Sequence, residues 1–335
     1  MKNLKKILFI LSHREKNRAV LLVLMLIIMA IFEMIGVASI LPFVGVLTNP
    51  GLIQTNAILN WMFETSILLG VETNEEFFFI LGVLVFVFLI FSLSFKALTV
   101  YVQVRFVQMT EYSLSKRLLE SYLQQPYSWF LNHNSSDLGK NILSEVTQIT
   151  EKGIKTLTEL IAKSLVAIAL VVLLIIVDPI IAVNIGISIS LVYCLIFYTI
   201  RYYLKKIGNI RLINNELRFT AINEIFGAIK EAKVGGLEQT LIKNFSFPAK
   251  IFAITQIRSA LIGRLPRIIL EAIAFGVIIL LILYLISKTG NFNDSLPILS
   301  LYVFASYRLM PSLQVIYESY TQLTFISPSI DRLYN

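Results

Sequence analysis

Six apolar runs, separated by connections of very different length, decide what this chain can fold into. Each run reaches the roughly 20 residues that a helix needs to cross a bilayer. They cover about 19–47, 77–102, 157–177, 180–200, 266–286 and 296–316. Only 15% of the 335 residues are charged, compared with about 25% in soluble domains. The sequence therefore predicts an all-α, multi-pass membrane protein with six long spanning helices.

The connections between the runs alternate in charge. Three of them hold only one of the 29 lysines and arginines, Lys288: 48–76, the Asp178-Pro179 turn, and 287–295. The N-terminal segment 1–18 and the two long connections, 103–156 and 201–265, are basic. Because basic loops stay on the cytoplasmic side, both termini and both long connections are predicted to be cytoplasmic. The same rule explains the net charge of +8 without a nucleic-acid partner.

The two long connections continue the spanning helices. Apolar residues recur at helical spacing among charges in 102–122 and in 201–225. At 1.5 Å per residue, about 25 further residues carry a helix about 35–40 Å beyond the membrane. This pattern predicts two cytoplasmic helix–turn–helix tips, at about 127–138 and 224–236.

The segment 51–66 is apolar but too short to span. Trp61 and Phe63 lie within it, and an apolar helix of this kind suits the outer membrane interface, with tryptophan at the headgroup level. The alternative is a short helix that only caps the bundle, and the sequence does not choose between the two.

The chain contains no motif of an enzyme. It has no G-x-x-x-x-G-K-[ST] loop for a nucleotide phosphate. His13 and His133 lack metal-ligand spacing, and the single cysteine, Cys194, excludes an internal disulfide or a cysteine metal cluster. We therefore expect no catalytic residue, bound metal or cofactor in this chain.

Ionisable residues within the apolar runs are the main candidates for a site, because such groups are costly in a membrane. They are Glu33, Lys96, Lys163, Arg267, Glu271 and Arg308. Counted from the outer end of each run, Arg308 lies about 18 Å deep, and Lys96 and Arg267 about 28–30 Å. Three cations in the inner part of the membrane suggest a basic belt around a water-filled cavity.

These charges also have ordinary explanations, except for Arg308, which lies too deep to snorkel easily. Lys96 and Arg267 could snorkel to the cytoplasmic headgroups, and Arg267 could pair with Glu271 at i+4. Lys163 follows Glu159 by four residues, the favoured order for a helix pair, and is predicted to be structural. Glu33 could neutralise one of the cations or take up a proton.

Two prolines mark local kinks in the spans. Pro42 lies in the first run and Pro311 in the sixth, where proline removes a helical hydrogen bond. Arg308 therefore sits next to a predicted kink.

The span pattern and two motifs together resemble the membrane domain of exporter-type ABC transporters. The segment LESYLQQPYSWF (119–130) is similar to the family's approach to its first coupling helix, and NEIFGAIKE (223–231) to its approach to the second. The resemblance implies coupling residues at Tyr127, Phe130, Asn132, Asp137, Glu224, Lys230 and Glu231.

Within that family the chain most resembles the flippases of lipid-linked oligosaccharides in bacterial N-glycosylation. The likeness rests on IFE (31–33) with LPF (41–43), on PRI-x-LE (266–271), and on YRLMPS (307–312); 51–66 also resembles the short external helix of those flippases. It implies that Arg267 and Arg308 engage a lipid pyrophosphate, with Glu33 and Glu271 nearby. Lys96 stands where a third arginine is expected, and lysine lacks the bidentate guanidinium fork.

The resemblance also implies partners. A half-transporter of this type works as a homodimer in the bacterial inner membrane, and its nucleotide-binding domain holds ATP and magnesium. In that case 19–316 is the transmembrane domain and 317–335 begins the linker to an ATP-binding domain, either truncated here or a separate chain. The alternatives are an exporter of another cargo, such as a peptide, a drug or a lipopolysaccharide precursor, or a non-transporting membrane scaffold or sensor.

Overall fold

The computed structural model describes residue 9 and residues 11–67, 73–131, 135–289 and 292–334. Almost all of these residues are helical, and none of them lies in a strand. The N-terminal half begins with α1 (His13–Ala38), α2 (Ile40–Thr48), α3 (Leu52–Thr55), α4 (Ala57–Ile67) and the long α5 (Asn74–Leu123). The all-helical architecture agrees with the sequence prediction.

A continuous helical rod, Leu138–Val177, follows the first tip. The short helix α6 (Tyr127–Phe130) precedes it, and the rod begins within α7 (Ser135–Lys140). A π-helical turn at Asn141–Glu145 leads into α8 (Val146–Ile149), and a second one at Thr150–Lys155 leads into α9 (Thr156–Val177). The chain ends with α10 (Pro179–Gly227), α11 (Ile229–Val234), α12 (Glu238–Thr289) and α13 (Phe292–Tyr334).

Two helices begin at capping boxes that the hydropathy pattern did not reveal. At the start of α1, the backbone N–H of Glu15 donates to Ser12 Oγ, and the N–H of Ser12 donates to Glu15 Oε2 at 2.7 Å. Thr73 and Glu76 form the same reciprocal pair ahead of α5. Each box satisfies two backbone donors that a helix start leaves without partners, so the sequence fixes where these helices begin.

The first predicted span is broken where proline requires it. Helix α1 ends at Ala38 and α2 begins at Ile40, with Ser39 between them. Pro42 has no N–H, and its ring would clash with the carbonyl four residues earlier, that of Ala38. Pro311, by contrast, lies inside α13, which continues through it to Tyr334.

The main core lies between α1, the rod and α13. Its fully buried side chains include Leu22, Leu26, Val166, Leu170, Leu301 and Ala305. A smaller core joins α2, α3 and α4 to the start of α5 through Val46, Ile53, Leu59, Phe77 and Leu81. Many large apolar side chains point outward along the same helices, Leu21, Phe86 and Ile176 among them, which is the arrangement expected where lipid is the solvent.

Three helical segments of the described chain are long and apolar enough to cross a membrane: His13–Thr48, Asn74–Leu123 and Leu138–Val177. The other three predicted spans fall within α10, α12 and α13, where part of the side chains lies outside the described structure. The six-span count therefore stays a prediction.

Candidate functional site

Three of the predicted site residues meet at one point in the bundle. Glu33 of α1 lies 2.7 Å from Lys96 Nζ of α5 and 4.0 Å from Arg308 NH1 of α13, both measured from its Oε1. The Glu33 side chain is only 3% exposed, whereas Lys96 and Arg308 are 36% and 22% exposed. We call these three residues and Lys163 the Glu33 cluster.

Close packing of α1 on α5 aligns Glu33 with Lys96. A methyl group at Gly36, one turn beyond Glu33, would lie 3.3 Å from Leu89 of α5, so the small residue lets the helices approach. On the same face of α1, Phe32 makes edge-on contacts with rings of α5, including Phe95, whose centroid is 5.2 Å away. These contacts hold Glu33 on the face of α1 that looks into the bundle.

Lys163 of α9, which the sequence predicts to be structural through Glu159, also has charged neighbours on other helices. It interacts electrostatically with Lys96, Glu33 and Arg308, as well as with Glu159 on its own helix. The i,i+4 argument considered only Glu159, because contacts between helices leave no local mark in sequence. Lys163 thus lies within electrostatic range of the Glu33–Lys96–Arg308 group, and among the described residues named here three cations stand against the two carboxylates Glu33 and Glu159.

The remaining members of the predicted site cannot be placed at the same level. Helix α12 contains positions 267 and 271, but the side chains of Arg267 and Glu271 lie outside the described residues. Next to Arg308, Tyr307 is largely exposed, and Ser312 Oγ donates to the carbonyl of Arg308 at 3.0 Å. Because Pro311 has no N–H to give Tyr307, this serine bond supports the backbone beside the proline.

The first tip is built around an aromatic group. Helix α6 starts directly after Pro126, and Trp129 contacts the rings of Tyr122 and Phe130 at centroid distances of 5.6 and 5.2 Å. Tyr127 points into solvent. Asn132 and the side chain of Asp137 lie outside the described residues.

The second tip is a sharp turn between α10 and α12. Glu224, Lys230 and Glu231 are all exposed there, and Gly236 has a φ of 64°, which suits glycine because it has no Cβ. Lys233 Nζ lies 3.0 Å from Glu238 Oε1 across the turn. The pKa of Glu238 is lowered, mainly by a backbone hydrogen bond and to a lesser extent by the hydrogen bond from Lys233.

The two aromatic residues of the external segment behave differently. Phe63 packs edge-on against Phe77 at the start of α5, with ring centroids 5.2 Å apart. Trp61 is mostly exposed. The segment thus has one ring that packs on the bundle and one available to a membrane interface, so both alternatives drawn from the sequence keep support.

A second buried ionic group, which the sequence did not reveal, lies between the long extensions. Arg211 of α10 is 1% exposed, and its NH2 lies 3.6 Å from Glu145 Oε1. Arg211 NH1 donates to Ser329 Oγ of α13 at 2.8 Å, and Asn215 Nδ2 donates to Glu145 Oε1 at 3.0 Å. We call these four residues the Arg211 cluster.

The four residues of the Arg211 cluster are all buried. Burial lowers the pKa of Arg211; Glu145 opposes that shift and Arg218 adds to it. Glu145 Oε2 and Arg211 Nε have no hydrogen-bond partner. The cluster therefore carries charge at a considerable desolvation cost.

In the described part of the chain, no group of three or more His, Cys, Asp or Glu side chains is arranged to hold a metal ion. Two buried groups of charged residues in the described part of the chain are the Glu33 cluster inside the bundle and the Arg211 cluster between the helix extensions.

A family model described as the ABC transporter transmembrane region matches residues 18–309. The match covers most of the chain, from the start of the first apolar run to the Glu33 cluster residue Arg308. The chain belongs to the ABC transporter transmembrane family. It is therefore a membrane domain of an ABC transporter, a class of domain that works together with a nucleotide-binding domain. The matched residues include both tip segments and three of the four residues of the Arg211 cluster, all except Ser329.

Proposed function

We propose that this ABC transporter membrane domain moves an anionic lipid-linked oligosaccharide, carried on a pyrophosphate, across the bacterial inner membrane. The observation that carries the proposal is the Glu33 cluster. Lys96 and Arg308 come from two different helices and lie within 4.0 Å of a single buried carboxylate, and Lys163 on a third helix interacts with that carboxylate electrostatically. Charges inside a membrane bundle are expensive and commonly mark a substrate path.

The excess of positive charge favours an anionic substrate. Lys96 and Arg308 keep part of their surface exposed while Glu33 is buried, so the cations are the groups that an incoming molecule would meet. Arg308 can bind a phosphate with two parallel N–H donors, and the lysines act as point charges. A pyrophosphate, with several negative oxygens, fits that set.

The proposed transport cycle is alternating access in a homodimer. Two copies enclose the pathway, both termini lie in the cytoplasm, and the tips dock into nucleotide-binding domains that bind ATP with magnesium and hydrolyse it. The chain itself supplies no catalytic group. Its helices transmit closure of those domains to the Glu33 cluster, and the substrate head group passes to the outer side.

Removing one cation at a time tests the proposal. We expect Lys96→Gln and Arg308→Gln each to reduce flipping of a fluorescent pyrophosphate-linked glycolipid in proteoliposomes by about tenfold or more, because each variant loses one cation that binds the pyrophosphate. A tenfold loss corresponds to about 1.4 kcal/mol of binding free energy. Basal ATP hydrolysis by the assembled transporter should stay near the wild-type rate, because the substitutions lie far from the tips.

Matched controls separate this effect from a general loss of charge. Lys116→Gln removes an exposed lysine paired with Glu120, and Arg264→Gln an exposed arginine paired with Glu318. Both should flip the glycolipid normally. Normal flipping by the Lys96 and Arg308 variants would refute the pyrophosphate site.

Another anionic cargo is the second candidate. It is favoured by the lysine at position 96, because lysine lacks the bidentate fork that suits phosphate and binds other anions as a point charge. Stimulation of ATP hydrolysis by an acidic peptide or a lipopolysaccharide precursor, but not by the pyrophosphate-linked glycolipid, would favour that cargo.

A further inference from the structure

Glu33 occupies the position that a substrate anion needs. Its Oε1 is shared between Lys96 at 2.7 Å and Arg308 at 4.0 Å. These are ion pairs rather than aligned hydrogen bonds, since the same oxygen has no hydrogen-bond partner. Both cations are thus already partly neutralised by a carboxylate that belongs to the protein.

The contacts of Glu33 are of a kind that can be exchanged. The Arg308 contact is longer than the usual 2.7–2.9 Å of a charge-assisted hydrogen bond. Lys96 has a flexible four-carbon stem and keeps about a third of its side chain exposed. A pyrophosphate presents several anionic oxygens against the single one of Glu33, so it competes well for both cations.

The neighbourhood also offers Glu33 another partner. A buried carboxylate left without a cation would be strongly unfavourable. Lys163, on the third of the helices around it, already interacts with Glu33. When Lys96 and Arg308 turn to a substrate, Glu33 can therefore keep one positive neighbour.

We propose that Glu33 is a built-in competitor of the substrate anion: it holds Lys96 and Arg308 together in the empty transporter, gives them up when the anion binds, and recaptures them to drive the anion out. This inference rests on the proposed function. It assigns Glu33 a role in releasing the substrate anion. This role differs from assisting substrate binding and from only holding the helices together.

The test compares binding with transport in the assembled transporter. The probe is farnesyl pyrophosphate, with farnesol as the uncharged control, and the protein is held in lipid nanodiscs. Glu33→Gln keeps the size of the side chain and removes its charge. We expect its Kd for farnesyl pyrophosphate to fall about tenfold, equivalent to about 1.4 kcal/mol, while glycolipid flipping becomes slower. Glu33→Asp, which keeps the charge, should retain a Kd close to that of the wild type.

A second comparison avoids leaving Lys96 without its partner. The double variant Glu33→Gln/Lys96→Gln removes both members of the 2.7 Å pair. It should bind farnesyl pyrophosphate more tightly than Lys96→Gln alone, because Arg308 is then released as well. Such a cycle isolates the effect of Glu33 from the stability of the protein.

The outcomes distinguish this inference from the proposed function. If Arg308→Gln weakens binding but Glu33→Gln leaves the Kd unchanged or raises it, Glu33 is no competitor and the pyrophosphate site survives. If neither the wild type nor any variant binds farnesyl pyrophosphate in preference to farnesol, both ideas fail. Tighter binding together with slower flipping supports the competitor role.

Discussion

Gly208 shows how far a single residue controls the approach of two long helices. It lies in α10, where a Cβ would collide with the backbone carbonyl oxygen of Phe325 in α13. Phe325 is itself buried with Leu204 and Ile207 in a small core. A backbone oxygen cannot rotate away as a flexible side chain can, so the helices would have to separate.

We therefore expect Gly208→Ala to destabilise the protein by about 1–3 kcal/mol, the usual cost of overpacking. The measurement is thermal unfolding in detergent. Gly186→Ala is the matched control on the same helix, because none of the described residues comes within 4 Å of a Cβ there, and alanine is the better helix former by about 1 kcal/mol. Equal unfolding temperatures for the two variants would show that the helices do not pack at Gly208 in this way.

Also at the residue scale, the sequence pointed to Lys96 and Arg308 as candidates for one site, but it did not reveal the charged neighbours that Lys163 has on other helices. Counting residues along each span put the first two deep in the bundle, and the structure joins them through Glu33. Lys163 has a plausible partner four residues away, which concealed its neighbours on other helices. The depth of a residue in the membrane can be estimated by counting along its span. Which side chains face each other on different helices cannot be found in this way.

Between elements, the Arg211 cluster fastens α10 and α13 to the rod. Its atoms join residues as far as 118 positions apart, and no motif marks them. Glu145 closes a π-helical turn, a local widening of the helix that is frequent at functional sites. The approximate ranges of the tips followed from helical periodicity, whereas this cross-connection depends on packing that only the folded chain displays.

Breaking the cluster on one side should be costly. Arg211→Met leaves Glu145 buried without its arginine partner, and removing one partner of a buried pair costs about 3–5 kcal/mol. We expect a correspondingly lower unfolding temperature in detergent. Replacing both charges, as in Arg211→Met/Glu145→Leu, should recover a large part of the loss, because an apolar pair of similar volume needs no partner.

An exposed arginine provides the comparison for that cycle. Arg264 is mostly exposed and pairs loosely with Glu318 at 3.7 Å, so Arg264→Met should change stability by less than about 1 kcal/mol. If Arg211→Met were as mild, the cluster would not hold the extensions together.

At the scale of the whole molecule, the two proposed functional regions, the Glu33 cluster and the tips, lie at different levels of the same helices. The Glu33 cluster lies on α1, α5, α9 and α13 within the apolar bundle, and α5 runs on without a break from Lys96 to Leu123, just before the first tip. Such a continuous helix would connect the proposed substrate site rigidly to the nucleotide-binding domain with which membrane domains of this family work.

A substitution in the first tip should weaken the coupling of transport to ATP hydrolysis without changing substrate binding. Trp129 packs on Tyr122 at the end of α5 and leaves Tyr127 largely exposed, in position to contact a partner domain. We expect Tyr127→Ala to lower the glycolipid flipped per ATP hydrolysed by about fivefold or more, the lower end of typical coupling between sites. The Kd for farnesyl pyrophosphate should stay unchanged, because the Glu33 cluster is untouched. Tyr112→Ala, another exposed tyrosine on α5, should leave both quantities at wild-type values, and an unchanged flipping ratio for Tyr127→Ala would mean that force enters the helices elsewhere.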